Sequence, residues 1–230
     1  MSKKVQPKIE ETEKPVSSVK MLFSMGTIGL LAGMLIVFTF TYTLPYIKAN
    51  EAAFLEKSIF DVVPGAFTKT VVTVDENNKI IPVEKPEETA FKLYPCYDEA
   101  DSLVGIAIEA REQGFQDVIK IIYGYSPKNE AIVGMKVLQS TETPGLGDKI
   151  ETDKDFIENF VKLDARLNED RTKLIEPIKM VKAGEKTKPS EISAITGATI
   201  SSKAIAKMMA RSADLNVPLI YKNLKILKKQ

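Results

Sequence analysis

Histidine is absent from this 230-residue chain, and cysteine occurs only once. Without histidine the chain has no imidazole general base, no histidine ligand for haem and few options for a transition-metal site. The lone Cys96 cannot form an internal disulfide, a zinc cluster or an iron–sulfur site. We predict that it is a half-buried residue where a strand gives way to a turn, because it has no histidine to activate it. Redox chemistry would then require an organic cofactor.

The chain also lacks a large net charge of either sign. The chain has 32 lysine and arginine residues against 31 aspartate and glutamate residues, and residues 49–230 contain 26 against 28. Nucleic-acid surfaces are strongly basic, so the composition argues against a nucleic-acid partner. The length allows one globular domain beside a membrane anchor.

Charge is absent over one long run, from Met21 to Ile47. This run is long enough to cross a bilayer core of about 30 Å as one helix. A signal peptide is the alternative, but its apolar region would be shorter and followed by a small-residue cleavage site, so we predict a retained anchor. The lysine-rich tail precedes the run, and the positive-inside rule therefore places the N-terminus in the cytoplasm. We predict a cytoplasmic tail at 1–20, a transmembrane helix of the cell membrane at 21–47 and an extracytoplasmic domain at 48–230.

The rest of the chain has the pattern of an α+β domain. Short β-type runs joined by turns predict an antiparallel sheet, and they cover Thr70–Val74, Ile80–Val83, Thr89–Tyr94 (ending at Pro95), Leu103–Ala110, Val118–Tyr125, Ala131–Leu138 and Ile175–Val181. Helical periodicity predicts flanking helices at Ala49–Val63, Asp148–Leu163, directly after Thr199 and from Val217 onward. The first of these helices would continue from the anchor or pack beside it.

A run of small residues precedes the helix that is predicted after Thr199. The segment reads Thr196-Gly197-Ala198-Thr199 and leads into Ile200, which places Thr199 at or next to the N-cap. Small residues allow a bulky group to approach the free N–H groups of a helix start, where the dipole favours phosphate. The alternative is an ordinary glycine turn capped by a threonine.

A second unusual segment follows the predicted strand 131–138 and reads Glu142-Thr143-Pro144-Gly145-Leu146-Gly147. Proline followed by glycine predicts a tight turn. On these residues alone the segment could simply end a strand. Glu142 could hold the loop by hydrogen bonding or be an exposed carboxylate.

Together, the two segments resemble the FMN-binding domain family. In that family the last threonine of a Ser/Thr-Gly-Ala-Thr motif carries FMN through a phosphoester bond, and a Glu-Thr-Pro-Gly-Leu-Gly loop lies beside the flavin ring. The family includes the G subunit of the Rnf-type electron-transport complex and the C subunit of the sodium-translocating NADH:quinone oxidoreductase. The resemblance covers roughly residues 20 to 212 and is nearest to the Rnf G subunit.

The resemblance implies covalent FMN on Thr199, attached by a separate flavin transferase with FAD as donor. It implies no metal ligand and no catalytic residue, and the cofactor-binding residues would be Thr196, Gly197, Ala198, Thr199, Ile200, Glu142, Thr143, Gly145, Leu146 and Gly147. The implied function is electron relay within a membrane complex that couples ferredoxin/NAD electron transfer to ion translocation. Other membrane subunits and the lipid bilayer would be its partners.

The chain departs from the family pattern at two positions. Ser193 stands where the family usually has an acidic residue, with Glu191 two residues earlier, and Ser140 stands where the family often has a histidine. The histidine's hydrogen bond would be lost or replaced by one from the hydroxyl. Three alternatives stay open: a C-type subunit, an anchored structural or assembly subunit with an unmodified threonine, and a flavin-dependent sensor.

Overall fold

The computed structural model describes residues 17–75, 77–83 and 91–228. Most of the predicted tail, 1–20, and the start of the predicted strand 89–94 lie outside these ranges. The described chain divides between Glu51 and Ala52 into two units.

A single long helix, α1 (Ser18–Val62), begins the described chain. It contains all of the predicted span 21–47, passes through Pro45 and continues into the segment predicted as the next helix. The side chains of its apolar half are exposed, as illustrated by Leu30, Met34 and Phe38. The helix is long and apolar enough to cross a membrane.

An antiparallel sheet forms the centre of the second unit, as the sequence predicts. Among the described residues it has eight strands: β1 (Thr68–Lys69), β2 (Val72–Val74), β3 (Ile80–Pro82), β4 (Leu93–Tyr97), β5 (Leu103–Gln113), β6 (Val118–Ser126), β7 (Ala131–Gln139) and β8 (Leu163–Asp164). The strand order is β3-β2-β4-β5-β6-β7-β8, and β1 pairs with β4. The long central strands β5, β6 and β7 are neighbours in both sequence and space.

One face of this sheet packs against helix α4 (Thr199–Lys222). Alternation along β6 directs Ile119, Ile121, Tyr123 and Tyr125 into the main core. From α4 the same core receives side chains at helical spacing, namely Ile205, Met208, Met209, Ala213 and Val217. Burial of each large apolar side chain contributes about 1.5–3 kcal/mol, so this contact holds the helix firmly against the sheet.

The other face of the sheet packs against the last turns of α1. Ile59, Val62 and Val63 join a smaller core that includes Ile122 of β6. The helix end approaches the sheet backbone closely, because a Cβ atom on Gly124 would lie 2.0 Å from the carbonyl oxygen of Val62. This contact requires glycine in the centre of β6.

The predicted helix 148–163 is wrong as a single element. It consists of α2 (Lys149–Thr152) and α3 (Lys154–Glu158), after which the chain enters β8. Asp153 separates the two helices because it has an extended backbone and its side chain accepts a hydrogen bond from Phe156 N at 3.0 Å. Aspartate in this position starts a new helix instead of continuing the old one.

Three other boundaries differ from prediction. The strand predicted at 175–181 is reduced to β9 (Lys179–Val181), which pairs in parallel with β10 (Glu191–Ser193). The helix predicted from Val217 is the end of α4, which passes through Pro218 and is followed by α5 (Leu224–Leu227). Strand β4 continues through Pro95 because the carbonyl oxygen of that residue still accepts a hydrogen bond, from Thr70 N at 2.9 Å.

Cys96 is fully buried within β4, so the prediction of a half-buried residue at a strand end is wrong. Burial raises the pKa of its thiol to about 12. A thiol with so high a pKa is not a nucleophile near neutral pH.

Candidate functional site

Both unusual sequence segments line the same cleft, which has a volume of about 320 Å³. Of the ten predicted site residues, all but Thr196 and Gly145 contribute to its wall. The lining residues are Phe115, Glu142, Thr143, Leu146, Gly147, Gly197, Ala198, Thr199, Ile200 and Ser201.

The start of α4 forms one wall of the cleft. Gly197 has a positive φ of 86°, Ala198 is the N-cap and Thr199 is the first helical residue. The N-cap carbonyl accepts the first helical hydrogen bond, from Ser202 N at 2.9 Å. The amides of Thr199, Ile200 and Ser201 have no hydrogen-bond partner among the described residues. An anion placed here would meet free N–H groups and the positive end of the helix dipole.

Thr199 also differs from the other hydroxyl residues nearby. Its side chain is exposed, lines the cleft and makes no hydrogen bond to any described residue. Ser201 Oγ donates to Glu142, and Ser202 Oγ accepts from Ile195 N at 3.1 Å. Thr196 lines a separate cavity. Thr199 is therefore the free hydroxyl of the helix start inside this cleft.

Glu142 holds the opposite wall. Its side chain is buried, and Oε1 accepts hydrogen bonds from Phe115 N at 2.8 Å and Gln116 N at 3.1 Å. Its other oxygen, Oε2, accepts a hydrogen bond from Ser201 Oγ. Of the two interpretations that the sequence allowed, the hydrogen-bonded one is correct. Ser140 also makes a hydrogen bond through its hydroxyl, which accepts from Glu142 N at 3.2 Å.

The loop after Glu142 is a tight turn, as predicted. Leu146 N donates to Thr143 O at 3.1 Å, and Gly145 has a positive φ of 78°. The amide Nε2 of Gln116 donates to Thr143 Oγ1 at 2.9 Å. The loop is thus tied to the β5–β6 turn by side chains from both segments.

Large apolar side chains surround the open side of the cleft. Phe115 is 63% exposed, Ile200 is 54% exposed and Leu146 is 50% exposed. Three such side chains around one cleft form an apolar surface of the kind that marks a ligand site. Sequence reasoning missed Phe115 and Ser201. Phe115 lies in a turn after Gly114 and is held at the cleft by its backbone amide, which donates to Glu142. A backbone contact has no side-chain pattern, so no motif in the sequence identifies Phe115.

Two further polar residues near the helix start, Lys203 and Ser193, do not line the cleft. Lys203 is exposed on α4. Ser193 is held by Asn159, whose Oδ1 accepts from Ser193 N at 3.0 Å. Within the described ranges, no group of histidine, cysteine, aspartate and glutamate side chains is arranged to hold a metal ion.

The surroundings of Glu191 stabilise the ionised form of its carboxyl group. Hydrogen bonds from the amides of Thr187 and Lys188 hold the pKa of its carboxyl at about 2, with further help from Lys179. The carboxylate therefore fixes the turn that precedes β10 and the small-residue segment.

This depressed pKa predicts a pH-dependent contribution to stability. An unfolded glutamate has a pKa of about 4.3, so the contribution of Glu191 is complete above that value and is lost as the pH falls towards about 2. We expect the stability difference between wild type and Glu191→Gln to be largest near pH 6 and to shrink steadily below pH ~4. Urea unfolding of the detergent-solubilised chain at several pH values measures it. A difference that does not change with pH would contradict the assignment.

Residues 114–214 match the FMN-binding domain family. The match starts at Gly114 beside Phe115, includes both cleft segments and ends within α4. The resemblance that rested on two short motifs is thereby confirmed over the whole region that builds the cleft.

Similarity extends beyond the FMN-binding domain. The chain is 27% identical over 195 residues to the G subunit of the ion-translocating oxidoreductase complex of Methanosarcina acetivorans, over 85% of this chain and 92% of that protein. It is 27% identical over 224 residues to the G subunit of the Na(+)-translocating ferredoxin:NAD(+) oxidoreductase complex of Acetobacterium woodii, over 94% and 99% respectively.

Among solved structures, the chain is similar to Shewanella oneidensis NqrC, with a TM-score of 0.50 and 16% identity over 73% of this chain and 86% of that one. At this identity the similarity concerns the fold. It agrees with the predicted α+β class, in which an antiparallel sheet is flanked by helices.

Proposed function

We propose that this chain is a membrane-anchored electron carrier that holds FMN covalently on Thr199 Oγ1 and works as a subunit of an ion-translocating oxidoreductase complex. The observation that carries the proposal is the free Thr199 hydroxyl, placed inside the cleft at a helix start with unpaired amides. The other two hydroxyl groups that line the cleft, on Thr143 and Ser201, are already hydrogen-bonded to Gln116 and Glu142.

The chemistry of the cleft fits FMN. A phosphodiester on Thr199 keeps one negative charge, and the unpaired amides of Ile200 and Ser201 would stabilise it. The apolar side chains of Phe115, Leu146 and Ile200 suit the face and edges of an isoalloxazine ring. When bound, FMN supplies one-electron and two-electron redox chemistry that no side chain of this cleft can supply.

The residues of the cleft hold a cofactor and do not transform a substrate. Glu142 has both oxygens engaged in hydrogen bonds, and no other acid or base lines the cleft among the described residues. We infer that this subunit takes up and gives away electrons through its flavin. A covalent bond suits such a carrier because the cofactor cannot diffuse away.

Attachment requires a second protein. The Thr199 oxygen would form a bond to the flavin-side phosphorus of FAD while the bond between the two phosphates breaks, AMP leaves and the hydroxyl loses its proton. A flavin transferase supplies this reaction in our proposal. The exposure of Thr199 makes its hydroxyl accessible to such an enzyme.

Helix α1 and the relatives support the proposed anchoring and partners. Residues 21–47 of α1 would cross the membrane, with the lysine-rich 1–20 in the cytoplasm and 48–230 on the extracytoplasmic side. The names of the similar proteins indicate a complex with further subunits, to which this chain would pass electrons coupled to ion translocation.

The intact mass of the full chain tests the proposal. Protein produced together with a flavin transferase should be heavier by the mass of FMN less one water and should fluoresce in a denaturing gel. Protein produced without the transferase should have the mass of the polypeptide alone. An unmodified chain in both preparations would refute covalent attachment and favour the structural or assembly subunit. Peptide mapping of the modified chain should locate the added mass between residues 194 and 203.

A further inference from the structure

Glu142 touches every segment that forms the cleft. It belongs to the loop after β7, it binds two amides of the β5–β6 turn, and it binds Ser201 on the first turn of α4. These partners are 27, 26 and 59 residues away in sequence. One carboxylate therefore fixes the distance between the turn that carries Phe115 and the helix start that carries Thr199.

Two glycines enclose this carboxylate. A Cβ atom on Gly114 would lie 2.5 Å from Glu142 Oε1, and a Cβ atom on Gly147 would lie 2.7 Å from Glu142 Oε2. The backbone therefore surrounds the carboxylate on two sides at close range. Its position leaves little room for movement, because the residue is only 6% exposed.

The charge of this carboxylate has no ionic partner. Its hydrogen bonds come from two backbone amides and one hydroxyl, and none of the ion pairs formed by the described residues includes it. Amides and a hydroxyl stabilise a carboxylate without neutralising its charge. A negative charge thus lies in the wall of the cleft, where the surrounding protein screens it less than water would.

We propose that Glu142 is the positioning residue of this cleft and that its fixed negative charge lowers the reduction potential of the bound flavin. Glu142 acts through others: it aligns the Phe115 turn with the start of α4. A negative charge near the ring disfavours the addition of electrons and therefore lowers the reduction potential. Glu142 would thus provide both the charge and the alignment. The electrostatic part of the inference rests on the proposed function, since it requires a flavin in the cleft.

Positioning is tested without any flavin. The full chain is made in detergent without flavin transferase, and hydrogen exchange is followed by mass spectrometry in the peptide that covers 113–118. In Glu142→Ala, Phe115 and Gln116 lose the acceptor of their amide protons, so we expect exchange at least about tenfold faster than in wild type. Equal exchange in the two proteins would overturn the proposal even if FMN binds elsewhere.

The effect of the charge is tested on flavinylated protein by redox titration. In Glu142→Gln the side-chain oxygen can still accept from the two amides and the NH₂ group can donate to Ser201 Oγ, so the contacts persist while the charge is lost. We expect retained covalent flavin and a midpoint potential raised by about 59 mV, which is a tenfold change in a one-electron equilibrium.

Glu99→Gln is the matched control, because it removes an exposed carboxylate in the turn after β4, outside the cleft. It should leave both the exchange and the potential unchanged. An unshifted potential in Glu142→Gln, or an equal shift in Glu99→Gln, would overturn the electrostatic role. Absence of flavin from the wild type would instead refute the proposed function, while the exchange experiment would still decide the positioning role.

Discussion

Thr199→Ala is expected to abolish covalent flavin completely. The other hydroxyls of the helix start are used elsewhere, since Ser201 donates to Glu142 and Ser202 accepts from Ile195 N. Among the described residues, Thr199 carries the one hydroxyl of the cleft that makes no hydrogen bond, so its loss would remove the proposed attachment point. The variant should fold normally, because the side chain is exposed and makes no hydrogen bond to the described residues, and such substitutions usually change stability by less than about 0.5 kcal/mol. Flavin fluorescence in a denaturing gel and intact mass measure the outcome.

Two variants complete this experiment. Thr196→Ala removes a hydroxyl three residues earlier, which lines a different cavity, and should still yield flavinylated protein. Thr199→Ser keeps the acceptor oxygen and should restore the flavin. Fluorescence that survives in denatured Thr199→Ala, or that disappears in Thr196→Ala but not in Thr199→Ala, would move the attachment point and refute the assignment of Thr199.

Gly124→Ala is expected to destabilise the domain by about 3 kcal/mol, because it forces a methyl group into a contact that has no space for it. The added Cβ would lie 2.0 Å from Val62 O and 2.8 Å from Val62 C. Both are backbone atoms, so no change of rotamer can relieve the clash. Either the end of α1 or the middle of β6 must move, which would open the smaller core around Ile59 and Ile122.

Chemical unfolding of the full chain in detergent, followed by tyrosine fluorescence, measures this effect, since the chain has seven tyrosines and no tryptophan. Gly33→Ala is the control, because a Cβ atom there meets nothing within 4 Å. Val62→Ala should not rescue Gly124→Ala, because the obstructing atom belongs to the backbone. Unfolding of Gly124→Ala at the wild-type denaturant concentration would show that the approach of helix and strand is looser than the structure indicates.

Several features of the fold could be predicted because they depend on residues close together in sequence. The uncharged run of α1, the alternation that makes β6 a strand and the proline–glycine turn after β7 all follow from local patterns. The helix start at Thr199 was predicted to within one residue for the same reason. Two of the differences from prediction arise at a single residue each: Asp153 divides the predicted helix 148–163, and Pro95 does not end β4.

The sequence by itself determined which chemical groups are available: a threonine hydroxyl at a helix start, a glutamate before a tight turn, and no histidine or cysteine pair for other redox chemistry. Only the tertiary structure decided that Glu142 reaches Ser201 and that Phe115 joins the same cleft. Chemical identity and helix starts are properties of neighbouring residues, whereas contacts across dozens of residues depend on the register of the sheet and the packing of α4. Glu142 binds the backbone amides of Phe115 and Gln116, and every residue except proline has such an amide. The side chains of its partners therefore do not identify them, and the sequence could not show what Glu142 binds.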